Sequence, residues 1–137
     1  MTKHSLNHRL MVTISCVIIT LFTAANASDR YTAVEVQLAS NDYLKNLHID
    51  GVINFMDFET NLSVKAVVLD NHPMLFEGDG FYVSCVTLVD ASGKEYPVDM
   101  YVYPSENGPT VSHAAFGMAS RGRFMELMKS GAVRKLR

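Results

Sequence analysis

The sequence predicts an α+β fold, a mainly antiparallel sheet with one helix near each end of the mature chain. Three observations carry that expectation. Residues 81–89 are apolar on both faces, broken only by Ser84 and Thr87, as in a strand covered on two sides. Asp90-Ala91-Ser92-Gly93 follows with hairpin-turn chemistry and leads into an alternating return strand. Nearer the C-terminus, Phe124, Leu127 and Met128 fall at i, i+3, i+4 spacing, one face of a helix. A small OB-like β-barrel is the alternative architecture, since a hairpin, a helix and a final strand occur in that order there too.

The first 27 residues read as a secretory signal peptide. Lys3 and Arg9 make a positive start without an acidic residue, Leu10 to Phe22 form an apolar stretch, and Ala25-Asn26-Ala27 offers small side chains for cleavage. That stretch is shorter than the ~20 residues a membrane-crossing helix needs. Cleavage after Ala27 is therefore expected, leaving Ser28–Arg137 as one domain in the periplasm or secreted, with no transmembrane segment. Cys16 lies inside the apolar stretch rather than after it, which argues against lipid attachment. Cys85 is then the only mature cysteine, so no internal disulfide can form and the apolar core must hold the fold.

Along the mature chain, Thr32–Leu38 alternates and predicts a half-buried strand with Val34, Val36 and Leu38 on one face, a short helix being the alternative. Ser40 is the expected cap of a helix that turns Tyr43, Leu44 and Leu47 inward and ends before Gly51. Val52–Phe58 is β-branched and aromatic enough to predict a strand. Leu62, Val64, Ala66 and Val68 predict the inward face of another. Asp70-Asn71-His72-Pro73 and Glu77-Gly78-Asp79-Gly80 are breakers. The return strand, Glu95–Tyr103, places Val98, Met100 and Val102 on one face and Asp99, Tyr101 and Tyr103 on the other. Ser105 to Pro109 turns the chain into a strand over Thr110–Phe116. Ser120 is the expected cap of the second helix, Gly131 its terminator, and Ala132–Leu136 a last strand.

Charge is unevenly distributed. Residues 28–106 carry 13 acidic and 4 basic side chains, whereas residues 107–137 carry Glu126 against six cations. This suits either an anionic partner or a basic tail packed on an acidic body. Tyr82, Tyr96, Tyr101 and Tyr103 cluster about the hairpin, and tyrosine suits surfaces that bind while tolerating water. The expected binding residues are Tyr101 and Tyr103 on the hairpin's outer face. Arg121, Arg123, Lys129, Arg134 and Lys135 are the expected secondary contact.

Chemistry for catalysis is thin. Cys85, His113 and Asp99 could form a nucleophilic set if the sheet brought them together. Cys85 lies mid-strand, however, and reads as a small buried hydrophobe. His72, Met74, His113 and Met118 lack metal-ligand spacing, and Asp70, Glu77 and Asp79 lack that of a calcium loop. The pairs Asp57/Glu59 and Asp42/Asp50 read as surface carboxylates. No nucleophile elbow, P-loop or dinucleotide fingerprint is present. Asn61-Leu62-Ser63 matches a glycosylation acceptor.

The expected function is an exported, non-catalytic binding protein, an inhibitor or adaptor of another envelope or secreted protein. An anionic envelope polymer is the second partner class, and neither nucleic acid, cofactor nor metal is expected. A small exported hydrolase or thiol enzyme centred on Cys85 and His113 is one alternative, and a self-assembling structural factor the other.

Overall fold

The computed structural model describes residues 31–70 and 73–136. The expected signal peptide, Ser28, His72 and Arg137 lie outside the described residues. The chain runs α1 (Ala33–Leu47), β1 (His48–Ile49), β2 (Val52–Asp57), β3 (Leu62–Val68), β4 (Met74–Glu77), β5 (Tyr82–Asp90), β6 (Glu95–Ser105) and β7 (Gly108–Phe116). A 3-10 turn over Met118–Ser120 then leads to α2 (Gly122–Ser130) and β8 (Arg134–Lys135). Among the described residues no helix is long and apolar enough to cross a membrane.

The first half of α1 corrects the strand expected at Thr32–Leu38. A capping box starts the helix: the Glu35 N–H donates to Thr32 Oγ1 at 3.3 Å, and the Thr32 N–H donates to Glu35 Oε2 at 2.7 Å. Val36, Ser40 and Leu44 then share the buried face at i, i+4, i+8, while Val34 and Leu38 are exposed. Ser40 is not a cap. It lies inside the helix, and its hydroxyl donates to the Val36 carbonyl at 2.8 Å. Nor does Gly51 end the helix. Asp50 and Gly51, both at positive φ, form the two-residue turn of the β1–β2 hairpin, where Ile49 faces Val52.

All ladders in the sheet are antiparallel. β5 lies at its centre. One edge of β5 pairs with β6, which in turn pairs with β7; the other edge is divided between β4 at Tyr82–Cys85 and β3 at Leu88–Asp90. The central position and two-sided burial expected for residues 81–89 are thus seen. Asp90 holds the β5–β6 turn by accepting from the Ser92 and Lys94 N–H groups. The strands curl into a half-barrel. β7 and the part of β2 beyond its pairing with β1 approach closely enough for Phe55 and Phe116 to stack at 5.3 Å, yet no ladder joins them among the described residues. The barrel expected as the alternative therefore does not close.

Two apolar layers result. On the concave, inner face α1 packs against Ile53, Leu88, Val98 and Met100, with Val36, Leu75 and Val102 extending the layer. On the outer face α2 lays Phe124 and Leu127 over Val83, Cys85 and Tyr101. Phe124 also meets Phe76 edge-on at 5.0 Å between ring centroids. Gly131, at φ 72°, closes α2 as the sequence predicts. Its start differs: Ser120 ends the 3-10 turn, and Arg121 occupies the cap position with no side-chain hydrogen bond.

Candidate binding cleft on the outer face

Strand alternation puts Asp99, Tyr101 and Tyr103 of β6 on the outer face, opposite Val98, Met100 and Val102. The neighbouring strand reaches that face through a β-bulge. Val102 pairs with Val111, but Tyr101 pairs with His113, so Ser112 is the extra residue. Without the bulge, Val111 and His113 would share a face. With it, Val111 packs inward and His113 stands over Tyr101, ring centroids 5.7 Å apart.

A cleft of about 380 Å³ opens there. Tyr101 and Ala115 contribute its floor, and Tyr103, Ser112 and His113 line the hairpin side. Ser120 and Arg123 line the side towards α2. Tyr103, 43% exposed, is braced from behind by Phe81, which stacks on it at 5.7 Å. The Arg123 side chain is 70% exposed, and its ion pair is a loose one with Glu126 at 3.7 Å.

A buried ion pair lies within the same face. Asp99, fully buried, accepts from Arg121 Nε through Oδ2 at 2.9 Å, and its Oδ1 has no hydrogen-bond partner. The guanidinium keeps its charge: burial opposes it, but the hydrogen bond and charge of Asp99 outweigh burial. Cys85 sits opposite Asp99 in the ladder and is buried. Burial first, and then the charge of Asp99, push its thiol well above the ordinary cysteine range. Burial likewise raises Tyr101, with Asp99 adding to the shift.

The structure thus sorts the residues singled out in the sequence. It gathers Tyr101, Tyr103, His113 and Arg123 at one cleft. It corrects the exposure expected of Tyr101, which is only 6% exposed because the α2 layer covers it. The other tyrosines leave the expected row altogether, since Tyr82 and Tyr96 are buried in the inner layer. The basic residues are divided. Arg121 is paired with Asp99, and Arg134 makes two hydrogen bonds to Glu77 Oε2, at 3.1 and 2.8 Å. Lys129 is exposed on α2, and Lys135 is exposed on β8 opposite Phe76.

Cys85 and Asp99 are neighbours, but His113 does not join them. It lies two strands from Cys85, roughly 10 Å at the usual strand spacing, and out of register with it. The sequence does not mark Ser112, Ala115 or Ser120 as site residues, because their place in the cleft depends on the bulge and the turn before α2. Compared with protein-family models, curated proteins and solved structures, the chain matches none.

Proposed function

We propose that the chain is an exported, non-catalytic binding protein that presents the Tyr103–His113–Arg123 cleft to another envelope or secreted protein, as an inhibitor or adaptor does. One observation carries this reading: the bulge at Ser112 brings the His113 imidazole to a concavity that is also lined by two phenols and a guanidinium. Residues 1–27, with their positive start, apolar stretch and small-residue site, supply the export signal in this reading. The helices near the two ends of the mature chain then divide the work. The first fills the half-barrel, and the second covers Tyr101 and sets Arg123 at the rim. A non-catalytic role is further supported by Cys85, whose buried thiol faces a carboxylate instead of the imidazole that would activate it.

The test is native mass spectrometry on protein recovered from the envelope and medium fractions of its own cells. A mature chain starting at Ser28 and carrying a second polypeptide is expected, with that complex lost in the Tyr103→Ala/Arg123→Gln double variant. An undiminished complex in the variant moves the binding face elsewhere. In the same samples Cys85 is expected to resist alkylation until the protein is unfolded. Rapid modification of the folded protein would instead favour a thiol enzyme.

A further inference from the structure

We propose that the outer-face cleft takes a carboxylate carried on an aromatic or large apolar group. This inference rests on the binding reading and names the chemistry that the cleft recognises. The charge of the lining is the starting point. Arg123 and His113 are there, and no carboxylate lines the cleft. Arg123 is available to a ligand, because its pair with Glu126 is long, lies at i, i+3 and is exposed on both sides. Such pairs contribute little, so recruiting the guanidinium costs little. Its planar fork matches a carboxylate with two parallel hydrogen bonds, and Ser120 adds a hydroxyl donor, while the Ser112 hydroxyl already donates to the Tyr101 carbonyl.

Besides Glu126, one acid lies close by, and its charge is already met. Asp99 is paired with Arg121 at 2.9 Å on the face from which the cleft opens. The pair is neutral as a unit, so the cation that a ligand can recruit is Arg123, held only by its exposed 3.7 Å pair with Glu126. A monoanion matches that single charge. A dianion such as a phosphate ester would keep one charge partly desolvated and unpaired, which is costly.

The rest of the site is built for an apolar body. Tyr101 and Ala115 contribute carbon surface, and Tyr103 adds a ring held in place by Phe81. Rings fixed before binding lose little freedom when a ligand stacks on them. The volume, about 380 Å³, falls within the range of small-ligand pockets.

Calorimetric titration of the mature chain tests this with 3-phenylpropionate, its neutral amide, phenyl phosphate, and N-acetyl-Gly-Gly-Phe with a free or amidated end. The free carboxylates are expected to bind about tenfold or more tightly than the matching amides, as a charge-assisted hydrogen bond implies. Arg123→Gln should erase that preference, while Tyr103→Ala should weaken acid and amide alike. Arg123 is exposed, so unchanged urea midpoints in the variant establish that the fold is intact. Tighter binding of the peptide acid than of 3-phenylpropionate identifies the carboxyl end of a polypeptide as the source, and the reverse order a free small acid. Equal affinity for acid and amide, tighter binding of phenyl phosphate, or a preference that survives Arg123→Gln overturns the proposal. If that happens while the complex recovered from cells still depends on Tyr103 and Arg123, the ligand class is wrong and the binding reading stands. A carboxylate preference without any such complex removes the protein partner and leaves the small acid.

Discussion

Two carboxylates are buried on opposite faces of the sheet, and they are treated differently. Asp57, at the rim of the inner face, uses both oxygens. It accepts from the Glu59 N–H at 3.0 Å, from Thr60 Oγ1 at 3.1 Å and from Lys94 Nζ at 3.1 Å. These bonds tie the β2–β3 turn to the β5–β6 turn. Asp99, on the outer face, has Arg121 as its hydrogen-bond partner and one oxygen with none. A carboxylate that only stitches the fold is expected to be fully satisfied, because each unpaired buried oxygen costs stability. The contrast separates a carboxylate whose oxygens are all engaged in tying two turns together from one that keeps an ion pair beside an open cleft.

The largest effect is expected from Asp99→Ala. It leaves the mostly buried Arg121 guanidinium uncompensated, a situation that typically costs 3–5 kcal/mol. Arg121 retains 21% of its side-chain exposure, so a loss of about 3 kcal/mol is expected, read from urea unfolding followed by circular dichroism. The double variant Asp99→Leu/Arg121→Met should recover most of it, since neither charge then remains buried. A loss below about 1 kcal/mol for Asp99→Ala would mean that the guanidinium escapes to solvent and that the outer face is looser than its packing indicates. Asp57→Ala should cost less than Asp99→Ala, because its cationic partner Lys94 is 44% exposed and can rehydrate.

A smaller effect is expected in the pH dependence of stability. The Glu59 N–H holds the Asp57 carboxyl below its ordinary value; burial opposes this, while Lys94 and Thr60 assist. A carboxyl depressed in the folded state adds stability above its unfolded value, near 4, and loses it as pH falls through the lower folded value. Asp90 and Glu35 are depressed too, chiefly by Ser92 and by the Thr32 backbone. The diagnostic quantity is therefore the difference between wild type and Asp57→Asn. The urea midpoint of the wild type should fall more steeply with acidification below about pH 4 than that of the variant. Parallel curves would remove Asp57 as a fully satisfied, ionised anchor.

What is legible in the sequence follows the range of the interactions. The two faces of β6 and the end of α2 at Gly131 depend on alternation and local chemistry, and both can be read there. The strand expected over the start of α1 comes from Val34, Val36 and Leu38, whose spacing fits a strand although only Val36 is buried. The better signal is the Thr32-x-x-Glu35 capping box. Asp50-Gly51 is likewise a hairpin dipeptide and not a helix end. β4 escapes a reading of the sequence because Met74–Glu77 is short and is defined by its pairing with β5 and β8, which local pattern does not encode. The cleft shows the same limit. Tyr103, His113 and Arg123 stand out singly, but their convergence requires the register shift at Ser112. The burial of Tyr101 requires the docking of α2.

The smallest effect concerns the other unpaired oxygen. Ser84 is fully buried in β5 on the inner face, beside Leu75 and Met100 in the ladders, and its Oγ has no hydrogen-bond partner. Ser84→Ala removes an unsatisfied group and strands no charge. The relief of that group, about 1–3 kcal/mol, is set against a void of one atom and the dispersion attraction its neighbours give up. The expected outcome in urea unfolding is a change between zero and about 1 kcal/mol of added stability. Asp99→Ala and Ser84→Ala thus start from the same symptom and should move in opposite directions, because one oxygen belongs to a charged pair and the other stands alone. A loss of more than about 1 kcal/mol for Ser84→Ala would show that its hydroxyl holds a partner in solution, such as a trapped water. The inner face would then be wetter than its apolar lining implies, and Asp99 Oδ1 would be left as the exception among the buried side-chain oxygens of the described residues.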